Sequence, residues 1–233
     1  MKKLFLIATT ILISQLVVAQ ISNINMNGAP ARLSSYTGVD GSPYLFTDWS
    51  KADIETLNAG LKEDVAYRLN IHDNELEVVN EAGNKIYLNK DFIEYAVLHR
   101  PSVLVATSEE GILPSLLFKK GFDIVKGVEP DELVNVISEG EKYTLIRKFY
   151  SDLVTQPKNS YSPSQGQIFV FEESFYLIDS NKNVTSVRNK TNSIIKSLNK
   201  KDQSLAKDIV KENNLNLSRE DHLMVFFQKL NET

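Results

Sequence analysis

Between residues 50 and 98 the apolar side chains recur at every second position. Val65, Tyr67, Leu69 and Ile71 fall in one phase, with Ala66, Arg68 and Asn70 in the other. Ala52, Ile54, Leu76, Val78, Ile86 and Leu88 carry the pattern on, followed by Ile93, Tyr95 and Val97. A period of two with β-branched and aromatic residues is what a strand needs to bury one face and wet the other. The breaks fit hairpins: Asp73-Asn74 tolerates left-handed backbone, and Glu81-Ala82-Gly83-Asn84 supplies a glycine. The stretch therefore predicts an antiparallel meander.

Residues 101–187 read as strand-rich but less regular. Candidate strands are 103–106, 116–119, 122–126, 133–137, 143–150, 167–171, 174–178 and 184–187. Glu172-Glu173 would turn a hairpin between the strands beside it, and 156–166 has the composition of an exposed loop. The span 143–154 is long for a strand and leaves room for a helical end.

After Val187 the period becomes helical. Ile194, Ile195 and Leu198 suggest one short helix. Asp202 would cap a second, with Leu205, Ala206, Ile209 and Val210 on one side, and Ser218 a third, with Asp221 as its acidic capping partner. Leu223, Phe226, Phe227 and Leu230 form an apolar stripe. Helices this short are marginal alone, so the stripe is expected to dock on the sheet. The fold class expected is mainly β (α+β): an antiparallel meander forming a curled sheet or open barrel, with a small C-terminal unit of two to three short helices.

The N-terminus carries an address. Lys2 and Lys3 precede an apolar run over 4–18, and Val17-Val18-Ala19 stands before Gln20, the pattern of a secretory signal peptide cut after Ala19. The run is shorter than the roughly 20 residues a spanning helix needs. The expected organisation is a signal peptide over 1–19, a loosely ordered polar segment over 20–42, a β domain over 43–187 and a helical unit over 188–233. The absence of Cys excludes disulfides, thiolate nucleophiles, Cys-held metals and a lipid anchor on cysteine.

The formal charge of −4 becomes −6 once Lys2 and Lys3 leave with the leader. Residues 188–233 hold 9 basic and 6 acidic side chains, which leaves the body strongly acidic. An acidic body argues against nucleic acid, whose phosphates need a basic face.

Motifs for chemistry are sparse. His72, His99 and His222 are not at metal-ligand spacing, and phosphate loops and serine elbows are missing. The carboxylate groups Asp73/Glu75, Glu109/Glu110, Glu129/Asp131/Glu132 and Glu172/Glu173 all fall at predicted turns. The ring-rich stretch Gly41-Ser-Pro-Tyr-Leu-Phe-Thr-Asp-Trp49 offers Tyr44, Phe46 and Trp49 as an interaction surface, or as rings that close one end of the core. No catalytic residue, metal ligand or cofactor is expected.

That stretch, the leader ending in Ala-Gln, the hairpin with Glu75-Leu76-Glu77-Val78 and the lysine-rich helices with Phe226-Phe227 resemble an uncharacterised exported-protein family of Bacteroidetes-type Gram-negative bacteria. The resemblance implies export to the periplasm or cell surface and supplies no catalytic residues. The expected function is a non-catalytic interaction or structural module of the cell envelope, with an unknown envelope protein as partner. Two alternatives are a carrier of an apolar, lipid-like ligand inside the curled sheet, with Tyr67, Leu69 and Ile71 as inward positions, and a carboxylate-dependent hydrolase.

Overall fold

A computed structural model of the protein describes Met26, residues 28–31, Tyr36, and residues 38–107, 111–156 and 166–232. The expected signal peptide over 1–19, Glu109/Glu110 and residues 157–165 of the expected loop lie outside the described residues. Among the described residues eleven strands form one antiparallel sheet. They are β1 (Gly28–Pro30), β2 (Ser50–Thr56), β3 (Gly60–Asn70), β4 (Glu75–Val79), β5 (Lys85–Leu88), β6 (Ile93–His99), β7 (Ser115–Lys119), β8 (Val134–Ser138), β9 (Tyr143–Thr155), β10 (Gln167–Asp179) and β11 (Val184–Val187). Their spatial order is β1-β5-β4-β3-β2-β6-β7-β8-β9-β10-β11, so two meanders grow outward from the β2/β6 pair and the sheet stays open at β1 and β11.

Hairpin chemistry fixes the first meander. Asn74 takes φ +53° between β3 and β4, and Gly83 takes φ +80° between β4 and β5. Within the 20–42 segment, Gly28–Pro30 pairs with β5 and Met26 is buried. In β6 the inward residues are Ala96 and Leu98 instead of Tyr95 and Val97, because the β2/β6 register shifts at Glu55/Thr56 and changes the phase after Ile93.

Two expected strands and one expected turn are corrected. Residues 103–106 belong to a short helix, α1 (Ser102–Thr107), whose amides of Leu104 and Val105 both bond to the Pro101 carbonyl. Proline stops the β6 ladder there and starts a helical turn, overriding the strand preference of valine. Residues 122–126 make consecutive turns, with Val125 N–H on Phe122 O and Val128 N–H on Val125 O. Glu172-Glu173 is no turn but the middle of β10, which pairs with β9 from Gln167↔Thr155 to Asp179↔Tyr143. The acids are held across strands, Glu172 by the Tyr150 hydroxyl at 2.8 Å and Glu173 by Arg147 at 3.4 Å. Residues 143–154 are strand throughout.

Three further helices follow: α2 (Thr191–Ser197), α3 (Gln203–Glu212) and α4 (Glu220–Glu232). The α4 stripe of Leu223, Phe226, Phe227 and Leu230 is fully buried, and α4 packs on β8 and β9 as expected. The caps differ from expectation. The Asp202 carboxylate makes no cap bond because it accepts the Tyr143 hydroxyl at 2.7 Å. Ser218 lies outside α4 and donates its hydroxyl to Asn189 O at 3.3 Å.

Apolar side chains gather in three clusters. The first fills the curl of β2–β7 and includes Tyr67, Leu69, Leu76, Leu98 and Phe118. The second joins the same face of β8–β11 to the helices through Tyr143, Leu145, Phe175, Phe226 and Phe227. The third covers the opposite face of β8–β10 with Val125 and Val128. Among the described residues no helix is long and apolar enough to cross a membrane.

Candidate functional site

The stretch after Asp40 is laced between β10 and β3. Asp40 N–H bonds Gln167 O and Asp40 O accepts from Phe169 N–H, while Pro43 O accepts from Ile71 N–H and Leu45 N–H bonds Leu69 O. Gly41 makes this possible: it holds φ +79°, and a Cβ there would stand 2.5 Å from Phe169 O. The lacing lays Tyr44 and Trp49 beside Arg68 on β3. The guanidinium carbon of Arg68 sits 4.0 Å from the Tyr44 ring centroid and 4.9 Å from that of Trp49.

Beneath the stack lies Glu77, 2% exposed, the cross-strand partner of Arg68 in the β3/β4 register. It accepts the Tyr44 hydroxyl at 2.7 Å and Arg68 Nη2 at 2.8 Å. Arg68 Nη2 also donates to the Tyr44 oxygen at 3.1 Å. Burial, with Glu77 adding to it, raises the Tyr44 phenol well above its usual range, so it stays a donor.

In front of this stack is an open cleft of about 530 Å³ walled by Tyr36, Ser42, Tyr44, Thr47, Arg68 and Phe169. Tyr36 meets Phe169 edge-on at 4.9 Å, and His72 meets both rings at 5.8 and 5.3 Å. The His72 ring is fixed by Nδ1 at 2.7 Å from Ser151 O. Of the three rings expected at an interaction surface, Tyr44 lines the cleft and Trp49 flanks it through Arg68. Phe46 is placed in the first core cluster, 7% exposed, with Arg100 5.6 Å above its ring. Sequence reading missed Tyr36, Arg68 and Phe169; the one signal available for Arg68 was an arginine in the polar phase of a strand whose partner carries Glu77.

The turn carboxylates also converge. Asp73, Glu75, Glu129, Asp131 and Glu132 line a second cleft of about 710 Å³. Lys90 lies 3.0 Å from Asp131, and Lys148 lies 2.7 Å from Glu132. Burial raises the Glu75 carboxyl, with Lys90 opposing and Asp73 and Asp131 adding. Among the described residues no group of three or more His, Asp or Glu is arranged to hold a metal ion. Positive charge of the C-terminal unit surfaces in a third cleft, with Arg188, Lys190 and Lys196.

Comparison with protein-family models, with curated proteins and with solved structures finds no match for the chain.

Proposed function

We propose that the protein is an interaction module of the cell envelope, exported to the periplasm or surface of a Gram-negative bacterium, that grips a partner protein at the Tyr36–Tyr44–Arg68–Phe169 cleft. The observation that carries this reading is the open cleft itself, with aromatic walls and an arginine already fixed by a buried carboxylate. Tyrosine, tryptophan and arginine are the residues that most often carry binding energy at interfaces. An arginine clamped between rings before the partner arrives loses little further side-chain freedom on binding. The occupant that fits is an apolar or aromatic side chain of the partner, seated between Tyr36 and Tyr44 with a polar neighbour near Arg68.

The curl of the sheet supports this choice over a carrier. Walls of a ligand cavity keep accessible area, whereas Tyr67, Leu69 and Ile71 are only 1%, 1% and 4% exposed and so fill the interior. A photo-crosslinking residue at Thr47, on the cleft wall, tests the proposal in the native envelope. The expected result is a covalent adduct with one envelope protein, whose purified form binds at least about 10-fold more weakly to Tyr36→Ala and Tyr44→Ala. Wild-type affinity in both variants would overturn it.

A further inference from the structure

On the face of the sheet opposite the first core cluster, three side chains from three adjacent strands form one hydrogen-bonded line. Ala52 and Ile54, Leu98 and Leu116 point into that cluster, so Asp53, His99 and Ser115, one residue out of phase, point the other way. The register sets His99 opposite Ser115 and Asp53 opposite Val97, diagonal to His99. His99 Nδ1 is 2.8 Å from Ser115 Oγ, and His99 Nε2 is 3.1 Å from Asp53 Oδ2. The second Asp53 oxygen accepts the Asp64 N–H at 3.0 Å, which holds the carboxylate in place.

Hydrogen-bond arithmetic assigns the roles. An ionised carboxylate only accepts, so the neutral imidazole carries its hydrogen on Nε2. That leaves the Nδ1 lone pair facing the Ser115 hydroxyl. A nucleophile, a base within hydrogen-bond reach and a third group that orients the base are the constellation of nucleophilic catalysis. Serine proteases use the two ring nitrogens in the opposite sense. Either nitrogen can take the proton, so the relay works in both. The line is open to solvent, with side-chain exposures of 35% for His99 and 29% for Asp53. Leu117, two residues on from Ser115 on the same face, packs against the third cluster.

We propose that Ser115 is an acyl-accepting nucleophile, with His99 as general base and Asp53 as the residue that orients it, acting on carboxylic esters presented at this face. Ser115 Oγ bonds to the ester carbonyl carbon as its proton passes to His99 Nδ1. The carbon–oxygen bond to the alcohol then breaks, and the alcohol leaves with the proton from His99. Water repeats the sequence on the acyl-serine, releasing the carboxylic acid and restoring the hydroxyl. This step departs from the non-catalytic expectation and lies on a different set of residues from the partner cleft, so each stands or falls alone.

The test is covalent labelling of the full folded chain with a fluorophosphonate, read by intact mass and peptide mapping. The expected result is a single adduct on Ser115, absent in Ser115→Ala. Labelling should slow by about 100-fold in His99→Gln, the scale of a lost general base, and by about 10-fold or more in Asp53→Asn, with far-UV dichroism unchanged. An activated phenyl ester should release one equivalent of phenol per chain in a burst that those variants lack. A folded wild type that takes no label on Ser115 would overturn the proposal, as would equal labelling in His99→Gln. Should His99→Gln fail to fold, equal rates in wild type and Asp53→Asn would overturn it instead, because the line would then be only a cross-strand tie.

Discussion

Glu220, the first residue of α4, stands where the two clusters on one face of the sheet meet. Its carboxylate accepts Arg100 Nη2 at 2.7 and 2.9 Å, Arg147 Nη1 at 2.6 Å and the Leu113 N–H at 2.9 Å. Arg147, 4% exposed, also donates from Nε to Asn135 Oδ1 at 3.1 Å. Among the described residues its Nη2 has no oxygen partner, but the guanidinium lies 4.4 Å from the Phe149 ring centroid and 5.6 Å from that of Phe175, where ring faces take up positive charge. Glu220→Gln removes the charge shared by the buried Arg147 and the partly buried Arg100 and is expected to cost about 3–5 kcal/mol, read as a lower urea midpoint. Burial alone would raise the Glu220 carboxyl, yet Arg147, the Leu113 amide and Arg100 outweigh it and hold it below the ordinary carboxylate range. Its contribution is therefore full at neutral pH and fades as pH falls below about 4. The gap in melting temperature between wild type and Glu220→Gln should close over that acid window; a gap unchanged at pH 3 would refute the assignment.

At the scale of elements, the first meander is legible because each strand has one dry face. Tyr67, Leu69, Leu76 and Val78 alternate in sequence and sit together in the first cluster. β10 is illegible for the opposite reason. Its middle residues Phe171 and Glu173 are exposed or half-exposed, so Glu172-Glu173 imitates a turn, and only the length of β9 beside it shows a continuous strand. α1 misleads differently: Val103, Leu104 and Val105 read as a strand yet form a short helix with all three exposed. The aromatic cleft was legible in Tyr44 and Trp49, which lie close in sequence. Arg68 and Phe169 reach it through strand register and lacing, and Asp53, His99 and Ser115 meet through register alone, which no local motif encodes. The lacing gives its own prediction. Gly41→Ala strains a residue at φ +79° and drives a methyl onto a backbone carbonyl, a cost of about 1–3 kcal/mol. The amides of Phe169 and Ile71, bonded to Asp40 O and Pro43 O, should exchange faster in this variant while those of β6 keep their protection. Unchanged exchange at Phe169 would show that the strand-to-strand lacing survives without glycine.

For the whole molecule, the change from strand to helix after Val187 looks like a domain boundary in sequence, but the packing runs straight across it. Tyr143 on β9 donates its hydroxyl to Asp202 at 2.7 Å and accepts the Asn199 N–H at 2.9 Å, while Asn231 pairs with the Tyr143 backbone through both its amide atoms. Leu145, Phe175 and Leu177 have their dry face covered by α2, α3 and α4, and Glu220 is a carboxylate that Arg100 and Arg147 share. Cutting the chain after Val187 would uncover that half of the sheet face and leave the buried Arg147 and the partly buried Arg100 without their common partner. A chain ending at residue 187 is therefore expected to collapse without a native near-UV dichroism signal and to self-associate through the bared face. Adding the 188–233 peptide should restore part of the Trp49 and tyrosine signal, since the apolar stripe of α4 is buried against β8 and β9. A monomeric chain ending at residue 187 with native near-UV dichroism would show that the first cluster folds alone and that the helices are only an appendage.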